Sequence, residues 1–198
     1  MNWNDVCVDD YEELMQYNGQ DCFSDKAIEI LFGVEDPQSL QVSNYMKYLS
    51  ELQFVGTHIP RTPLMEHYTL NGRKYKVDIN VAGLTMGQFT DFENYKKQQP
   101  MSLRDVLSVV MIPDGHSYND GYDMQQVKND IGTMSVVEAS NVFSFFATWC
   151  FKYVGTLNYF LKHRMKKETR LMPIMEKIQQ LYQQMKEEQT LMDICRTY

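Results

Sequence analysis

The amino-acid sequence predicts a mainly α protein of the α+β class, a helical bundle with one β-hairpin and a C-terminal helical extension. Apolar residues recur every three or four positions through most of the chain, which is the spacing of a buried helix face. Residues 67–79 instead alternate apolar and charged side chains, as a strand does. We therefore expect a mainly helical domain over residues 1–168, with the hairpin inside it, and an amphipathic helix over residues 169–198.

Composition and charge narrow the class of protein. The 198 residues are 43% hydrophobic, enough to bury a core, and they carry a net charge of −7. That charge argues against nucleic acid as the main partner. Residues 1–60 are the most acidic part, with eleven acidic and two basic residues. The four cysteines show no CxxC spacing and the first residues are polar, so we expect reduced thiols in a cytoplasm and no signal peptide.

Short helices are predicted in the N-terminal third. Asp9 or Asp10 is expected to cap the first helix, and Ser24 the second. Asp36 followed by Pro37 has the preferred order of a cap and a first helical residue, so it is expected to open the third. The prolines that follow break the helical pattern before the hairpin.

The hairpin prediction rests on the chemistry of its turn. Asn71–Gly72 favours the positive φ angles of a type I′ turn. After the turn, apolar residues alternate with charged ones. The apolar residues Tyr75, Val77 and Ile79 should lie on the buried face.

Helices are expected to resume after the hairpin, each with a recognisable cap. Thr85 should cap one helix, and Ser102 should cap another that continues through Ile112 and ends at Pro113. Asp123 begins a D-x-x-Q sequence that resembles a capping box and should start a short helix.

The longest predicted helix covers residues 135–167. Residues 142–161 contain one charge and have the composition of a membrane span. A polar stripe favours a bundle helix instead, because its members fall within one sector about 120° wide: Glu138, Asn141, Ser144, Thr148, Lys152 and Thr156. We expect Phe145 to lie on the opposite, buried face. The basic run at 162–167 keeps the membrane alternative open.

The C-terminal segment has a narrow apolar stripe on a polar helix, a pattern typical of a coiled coil or a partner-docking helix. The residues of this stripe are the candidate partner-binding residues: Ile174, Ile178, Leu181, Met185 and Met192. The same stripe would also allow a homo-oligomer.

Sequence motifs for catalysis or cofactor binding are missing. The chain has no GxGxxG, no GxxxxGK[ST] and no GxSxG, and its four histidines are scattered. Residues 114–123 carry several carboxylates but do not follow the EF-hand order, so turn and capping chemistry is favoured over calcium. The acidic block at 9–13 is explained by the positive end of a helix dipole more simply than by acid–base catalysis. We expect no catalytic residue, metal or cofactor.

A series of segments resembles a known group of proteins. After Trp3 come VDDYEEL at 8–14 and LQF at 52–54, then YTLNGRKYKV at 68–77, LTMGQFTDF at 84–92, VLSVVMIP at 106–113 and YNDGYD at 118–123. This order resembles small proteins encoded among the virion genes of tailed bacteriophages and described as tail-assembly-chaperone-like. The resemblance covers about residues 1–165 and is carried by structural segments, so it transfers no active-site residue.

The resemblance implies a non-enzymatic role in bacteriophage morphogenesis, as a tail-assembly chaperone or a minor virion component. Its partners would be other phage structural or assembly proteins, including a long tape-measure-like helical protein, in the host cytoplasm during assembly or in the virion. Two hypotheses from other classes remain. One is a host-directed regulatory protein that uses acidic residues 1–60 to mimic nucleic acid, and the other is an enzyme with a dispersed site.

Overall fold

Seven α-helices and a three-stranded antiparallel sheet make up the described part of the chain, which confirms the predicted class. The computed structural model describes residues 1–77, 84–98, 100–118, 120–164 and Gln180. The helices are α1 Val8–Met15, α2 Phe23–Phe32, α3 Val42–Glu51, α4 Met86–Lys96, α5 Leu103–Ser108, α6 Met124–Gly132 and α7 Val136–Arg164. The strands are β1 His67–Leu70, β2 Arg73–Val77 and β3 Met111–Pro113.

The chain divides into two compact units, Met1–Phe143 and Ser144–Tyr198. The boundary predicted at residue 168 lies outside the described residues. So do the C-terminal stripe and its candidate residues Ile174, Ile178, Leu181, Met185 and Met192.

The predicted hairpin is confirmed through its turn and its register. Asn71 and Gly72 have φ angles of 48° and 76°, as a type I′ turn requires. β1 pairs with β2 in antiparallel register, and Tyr75 and Val77 of β2 are almost completely buried. Ile79 lies outside the described residues.

Replacing Gly72 with valine is expected to lower the free energy of unfolding by about 1 kcal/mol or more. The added side chain has open space around it, so the cost comes from a β-branched residue at positive φ. Gly56→Val is the matched control, because Gly56 has equally open surroundings and no positive φ. Urea titration of both variants checks the prediction, and equal midpoints would contradict it.

The prediction of one helix from Ser102 to Ile112 is wrong. Helix α5 ends at Ser108, and Met111–Pro113 forms the strand β3, which pairs with β2. A short, fully apolar run fits a buried strand as well as a helix, and here the free edge of β2 decides between them. The sheet order is therefore β1-β2-β3.

Several predicted helix starts also need correction. The cap of α1 is Cys7, not Asp9 or Asp10, because backbone bridging between Cys7 and Ser135 keeps Cys7 extended just before the helix. Helix α2 begins at Phe23, ahead of the expected cap Ser24, since the preceding turn leads directly into it.

The Asp36–Pro37 pair opens only a 3₁₀ turn, Pro37–Ser39, and not the helix itself. The Ser39 hydroxyl donates to the Asp36 carbonyl at 2.8 Å and closes this turn on itself. Helix α3 then starts separately at Val42. The caps predicted at Thr85, Ser102 and Asp123 are confirmed by their side-chain hydrogen bonds.

Helix α7 begins next to the predicted Ser135 and exposes the predicted polar stripe at Ser144, Thr148 and Lys152. The side chain of Thr156 lies outside the described part. The expectation for Phe145 is wrong, since it is only partly buried while Phe146 is fully buried. Seven residues make about two helical turns, so Phe145 lies near the side of Glu138 and not opposite it. Within the described ranges, none of the helices combines the length and apolarity that a bilayer crossing requires.

Candidate functional site

A cleft of about 630 Å³ opens in the first unit between α1, residues 100–105, α6 and the start of α7. We call it the α1–α5 cleft. Its volume lies within the range of ligand-binding pockets, about 300–1,000 Å³. The apolar residues of its lining are Tyr11, Met15, Met101, Leu103 and Phe143. The flexible side chains of the two methionines can adapt to varied partners.

The charged residues of this cleft are paired with one another. Glu12 accepts hydrogen bonds from the Ser102 hydroxyl and the Arg104 amide, both at 3.1 Å, and from Arg104 Nε at 3.0 Å. Arg104 Nη1 also lies 2.9 Å from Asp9 Oδ1, an ion contact without hydrogen-bond alignment. The acidic block at 9–13 therefore joins α1 to α5, a role that helix-dipole reasoning missed because Arg104 is distant in sequence.

The second ion pair of the cleft is formed by Lys128 and Asp105, whose charged atoms lie 2.8 Å apart. Lys128 Nζ also lies over the ring of Tyr95, 4.9 Å from its centre. Among the residues that line the cleft, the two acidic side chains, Glu12 and Asp105, balance the two basic ones, Arg104 and Lys128. This lining suits an apolar side chain better than a charged group.

A second polar centre lies at the contact between the hairpin and α6. The Asp130 carboxylate, with no exposed surface, accepts from Asn71 Nδ2 at 3.0 Å, Arg73 Nη1 at 2.6 Å and Gln126 Nε2 at 3.0 Å. It also accepts from the hydroxyl of Tyr75. We call these five residues the Asp130 cluster. Its four donors come from two elements, so the carboxylate fastens the hairpin to α6.

The electrostatics of the Asp130 cluster are those of a satisfied structural carboxylate. Burial alone would raise the pKa of Asp130, but the hydrogen bonds from Tyr75, Asn71, Arg73 and Gln126 outweigh it and lower that pKa. Burial and the neighbouring Asp130 raise the pKa of Tyr75 to about 12. Both shifts favour an ionised Asp130 beside a neutral Tyr75 at neutral pH.

Four of the sequence segments on which the expected resemblance rests contact one another. Gln88 of LTMGQFTDF donates to the Val109 carbonyl of VLSVVMIP at 3.1 Å, in the buried interior. Tyr118 of YNDGYD donates to Asp91 of LTMGQFTDF at 2.6 Å. Burial, followed by the hydrogen bond to Asp91, raises the pKa of Tyr118. In addition, β3 from VLSVVMIP pairs with β2 from YTLNGRKYKV.

Residues 114–118 and 120–123 have the predicted turn and cap geometry. Gly115 and Gly121 have φ angles of 84° and 71°, and Asp123 Oδ1 accepts from the backbone amides of the first turn of α6. The reciprocal half of the expected capping box is not formed, and the Gln126 side chain instead donates from Nε2 to Asp130 at 3.0 Å. Across the ranges that the structure describes, no group of three His, Cys, Asp or Glu residues is placed to hold a metal ion.

Calcium is expected to leave the melting temperature of this protein unchanged. A site that bound the ion in the folded state would raise the melting temperature, by an amount that grows with the logarithm of the calcium concentration above the dissociation constant. Thermal unfolding with millimolar calcium and with chelator, in wild type and Asp120→Asn, checks this. A rise of several degrees in wild type that Asp120→Asn abolishes would show that the loop binds calcium.

Neither family models, nor curated proteins, nor solved structures match this chain. The three histidines whose side chains are described, His58, His67 and His116, are exposed. The α1–α5 cleft and the Asp130 cluster were not predicted from the sequence. For the cleft, the only signals there were the acidic block and the methionine content.

Proposed function

We propose that this chain is a non-enzymatic bacteriophage morphogenesis protein, either tail-assembly-chaperone-like or a minor structural component of the virion. The observation that carries the proposal is the contact between the segments of the resemblance. Four of them are joined by the β2–β3 pairing and by the Gln88–Val109 and Tyr118–Asp91 hydrogen bonds. If a group of proteins keeps these segments because they build a common fold, the segments are expected to contact one another in this way.

The polar chemistry of the first unit supports a binding role. The carboxylates of Glu12, Asp105 and Asp130 each have a cationic partner within 3.0 Å. A general base needs a lone pair directed at substrate, whereas these carboxylates hold elements together. The apolar lining of the α1–α5 cleft can instead receive a side chain of another protein.

The proposed partner is another phage structural or assembly protein, a tape-measure-like helical protein in the chaperone version. The proposed contact residues are those of the C-terminal stripe: Ile174, Ile178, Leu181, Met185 and Met192. An apolar stripe of this spacing pairs with a matching stripe on a second helix. Self-association through the same stripe is the alternative use of these residues.

Co-purification from cells that express the phage structural genes tests the partner. The double variant Ile178→Asp with Leu181→Asp should lose the tape-measure-like protein, because it places charge in the stripe. Gln179→Asp with Gln180→Asp adds the same charge beside the stripe and should retain the partner. Equal recovery with both double variants would refute the contact, and mass spectrometry of purified particles separates a virion component from a transient chaperone.

The alternative of a host-directed acidic binder has less support. It requires a free acidic surface on residues 1–60. Three of the eleven acidic residues there are engaged within the protein, because Asp9 and Glu12 contact Arg104 and Asp25 accepts hydrogen bonds from Gln38 and Tyr45. Genes for tail or connector proteins beside this one would favour the morphogenesis role, whereas early genes would favour the host-directed role.

A further inference from the structure

The exposed face of the hairpin is basic, in contrast to the acidic chain. Strand alternation places four side chains on this face: His67, Thr69, Lys74 and Lys76. We call them the basic hairpin face. Residues 67–77 contain no acidic residue, although the net charge of the protein is −7. The opposite face of the hairpin is buried.

The strand that carries half of this face lies at the edge of the sheet. Among the described strands, β1 has β2 as a neighbour on one side only. The register pairs Leu70 with Arg73 across the tight turn, and Val77 N–H donates to the Glu66 carbonyl at 2.8 Å. This alternation directs the N–H and C=O groups of His67 and Thr69 away from β2. Within the described ranges no backbone hydrogen bond reaches these groups, and both residues are exposed.

We infer that the free edge of β1 binds an extended, acidic segment of a partner protein as an added strand. The two outward residues offer two donors and two acceptors, and an extended chain satisfies all four. An added strand would lie about 5 Å from β1 and about 10 Å from β2. Acidic side chains on its outer face would therefore come within reach of Lys74 and Lys76.

The charge pattern selects this occupant over two others. A second copy that paired through β1 would place His67 and Thr69 beside this edge and would offer no acidic side chain to Lys74 and Lys76. A nucleic acid would be attracted to the lysines, but its phosphates cannot pair with alternating N–H and C=O groups. An acidic extended peptide can pair with the outward N–H and C=O groups of β1 and place carboxylates near Lys74 and Lys76.

The edge contact is tested with a blocked octapeptide of alternating glutamate and threonine, added to the full chain. Thr69→Pro removes one outward N–H, and spares the β1–β2 ladder because Thr69 donates no hydrogen bond to β2. Thr69→Val keeps the N–H and is the matched control. We expect Thr69→Pro to weaken peptide binding at least tenfold, the loss of about 1.4 kcal/mol, and Thr69→Val to leave it within about twofold.

The charge contact is tested with Lys74→Glu combined with Lys76→Glu and with a lysine–threonine octapeptide. The double variant should bind the acidic peptide at least fivefold more weakly than wild type, and wild type should bind the lysine–threonine peptide at least fivefold more weakly than the acidic one. Added salt should weaken the complex of wild type with the acidic peptide. In wild type, the acidic peptide should also slow hydrogen exchange at the His67 and Thr69 amides, a readout that remains if Thr69→Pro fails to fold.

Three results would overturn the inference. The first is no binding of the acidic peptide, or binding without protection of these two amides. The second is undiminished binding by a folded Thr69→Pro variant, which would mean attraction by charge alone. The third is displacement of the peptide by single-stranded DNA that binds wild type and Thr69→Pro equally. All of these measurements leave the C-terminal stripe intact, so their failure is separate from a failure of the proposed function.

Discussion

Replacing Phe146 with alanine is expected to lower the free energy of unfolding by about 3–5 kcal/mol. Phe146 is fully buried in α7, and its ring packs edge-on against Phe145 with the ring centres 5.3 Å apart. Truncation removes most of the buried side chain and leaves a cavity that neighbouring atoms fill only in part. Urea titration, followed by far-UV circular dichroism, measures the change in the unfolding midpoint.

Phe145→Ala is the matched control, because it removes the same atoms from the adjacent position. Phe145 is only partly buried, so the expected loss is about 1–2 kcal/mol. The larger effect should therefore belong to Phe146. If the two variants lost the same stability, or Phe145→Ala lost more, the buried face of α7 would be wrongly assigned.

Local chemistry predicted much of the fold. The Asn71–Gly72 turn and the caps Thr85, Ser102 and Asp123 follow from residue types that act on their own backbone within three positions. Such signals are complete in the sequence. They fix where elements begin and where the chain reverses.

Features that depend on distant partners were not predictable in the same way. Residues 109–112 are apolar in a helix or a strand, and the unpaired edge of β2, more than thirty residues earlier, selects the strand. Cys7 caps α1 because it bridges to Ser135, more than one hundred residues later. The error at Phe145 has a different origin, because seven residues make about two helical turns and helix geometry alone therefore places Phe145 on the side of Glu138.

The candidate site depends even more on distant contacts. The acidic residues of α1 were visible in the sequence, but their partner Arg104 comes from α5. Asp130 carries no sequence signal at all, since its donors Arg73 and Tyr75 lie more than fifty residues away. A carboxylate in an amphipathic helix is ordinarily assigned to its solvated face. Only the fold shows that Asp130 is buried.

Asp130→Asn is expected to lower the free energy of unfolding by about 2–4 kcal/mol at neutral pH. The asparagine removes the charge that faces Arg73 and turns one accepting oxygen into a donor, within a cluster that already supplies four donors. Asp123→Asn on the same helix is the control, because asparagine caps a helix as well as aspartate does. Its expected loss is below about 0.5 kcal/mol.

The effect of Asp130→Asn should depend on pH with a definite sign. The pKa of Asp130 is lower in the folded state than the ordinary 3.8, so its contribution is present above pH 3.8 and is lost as pH falls through the lower, folded value. The difference in unfolding free energy between wild type and Asp130→Asn should therefore be constant near neutrality and narrow in strong acid. Tyr75 adds a second pH dependence at alkaline pH, because its pKa is raised from 10.0 to about 12 in the folded state. Its contribution to the free energy of unfolding is therefore lost as pH rises across that interval. Urea titrations of wild type, Asp130→Asn and Tyr75→Phe from pH 2 to about 12 measure both pH dependences. A difference between wild type and Asp130→Asn that stayed constant down to pH 2 would mean that the Asp130 carboxylate does not hold the hairpin to α6 through its charge.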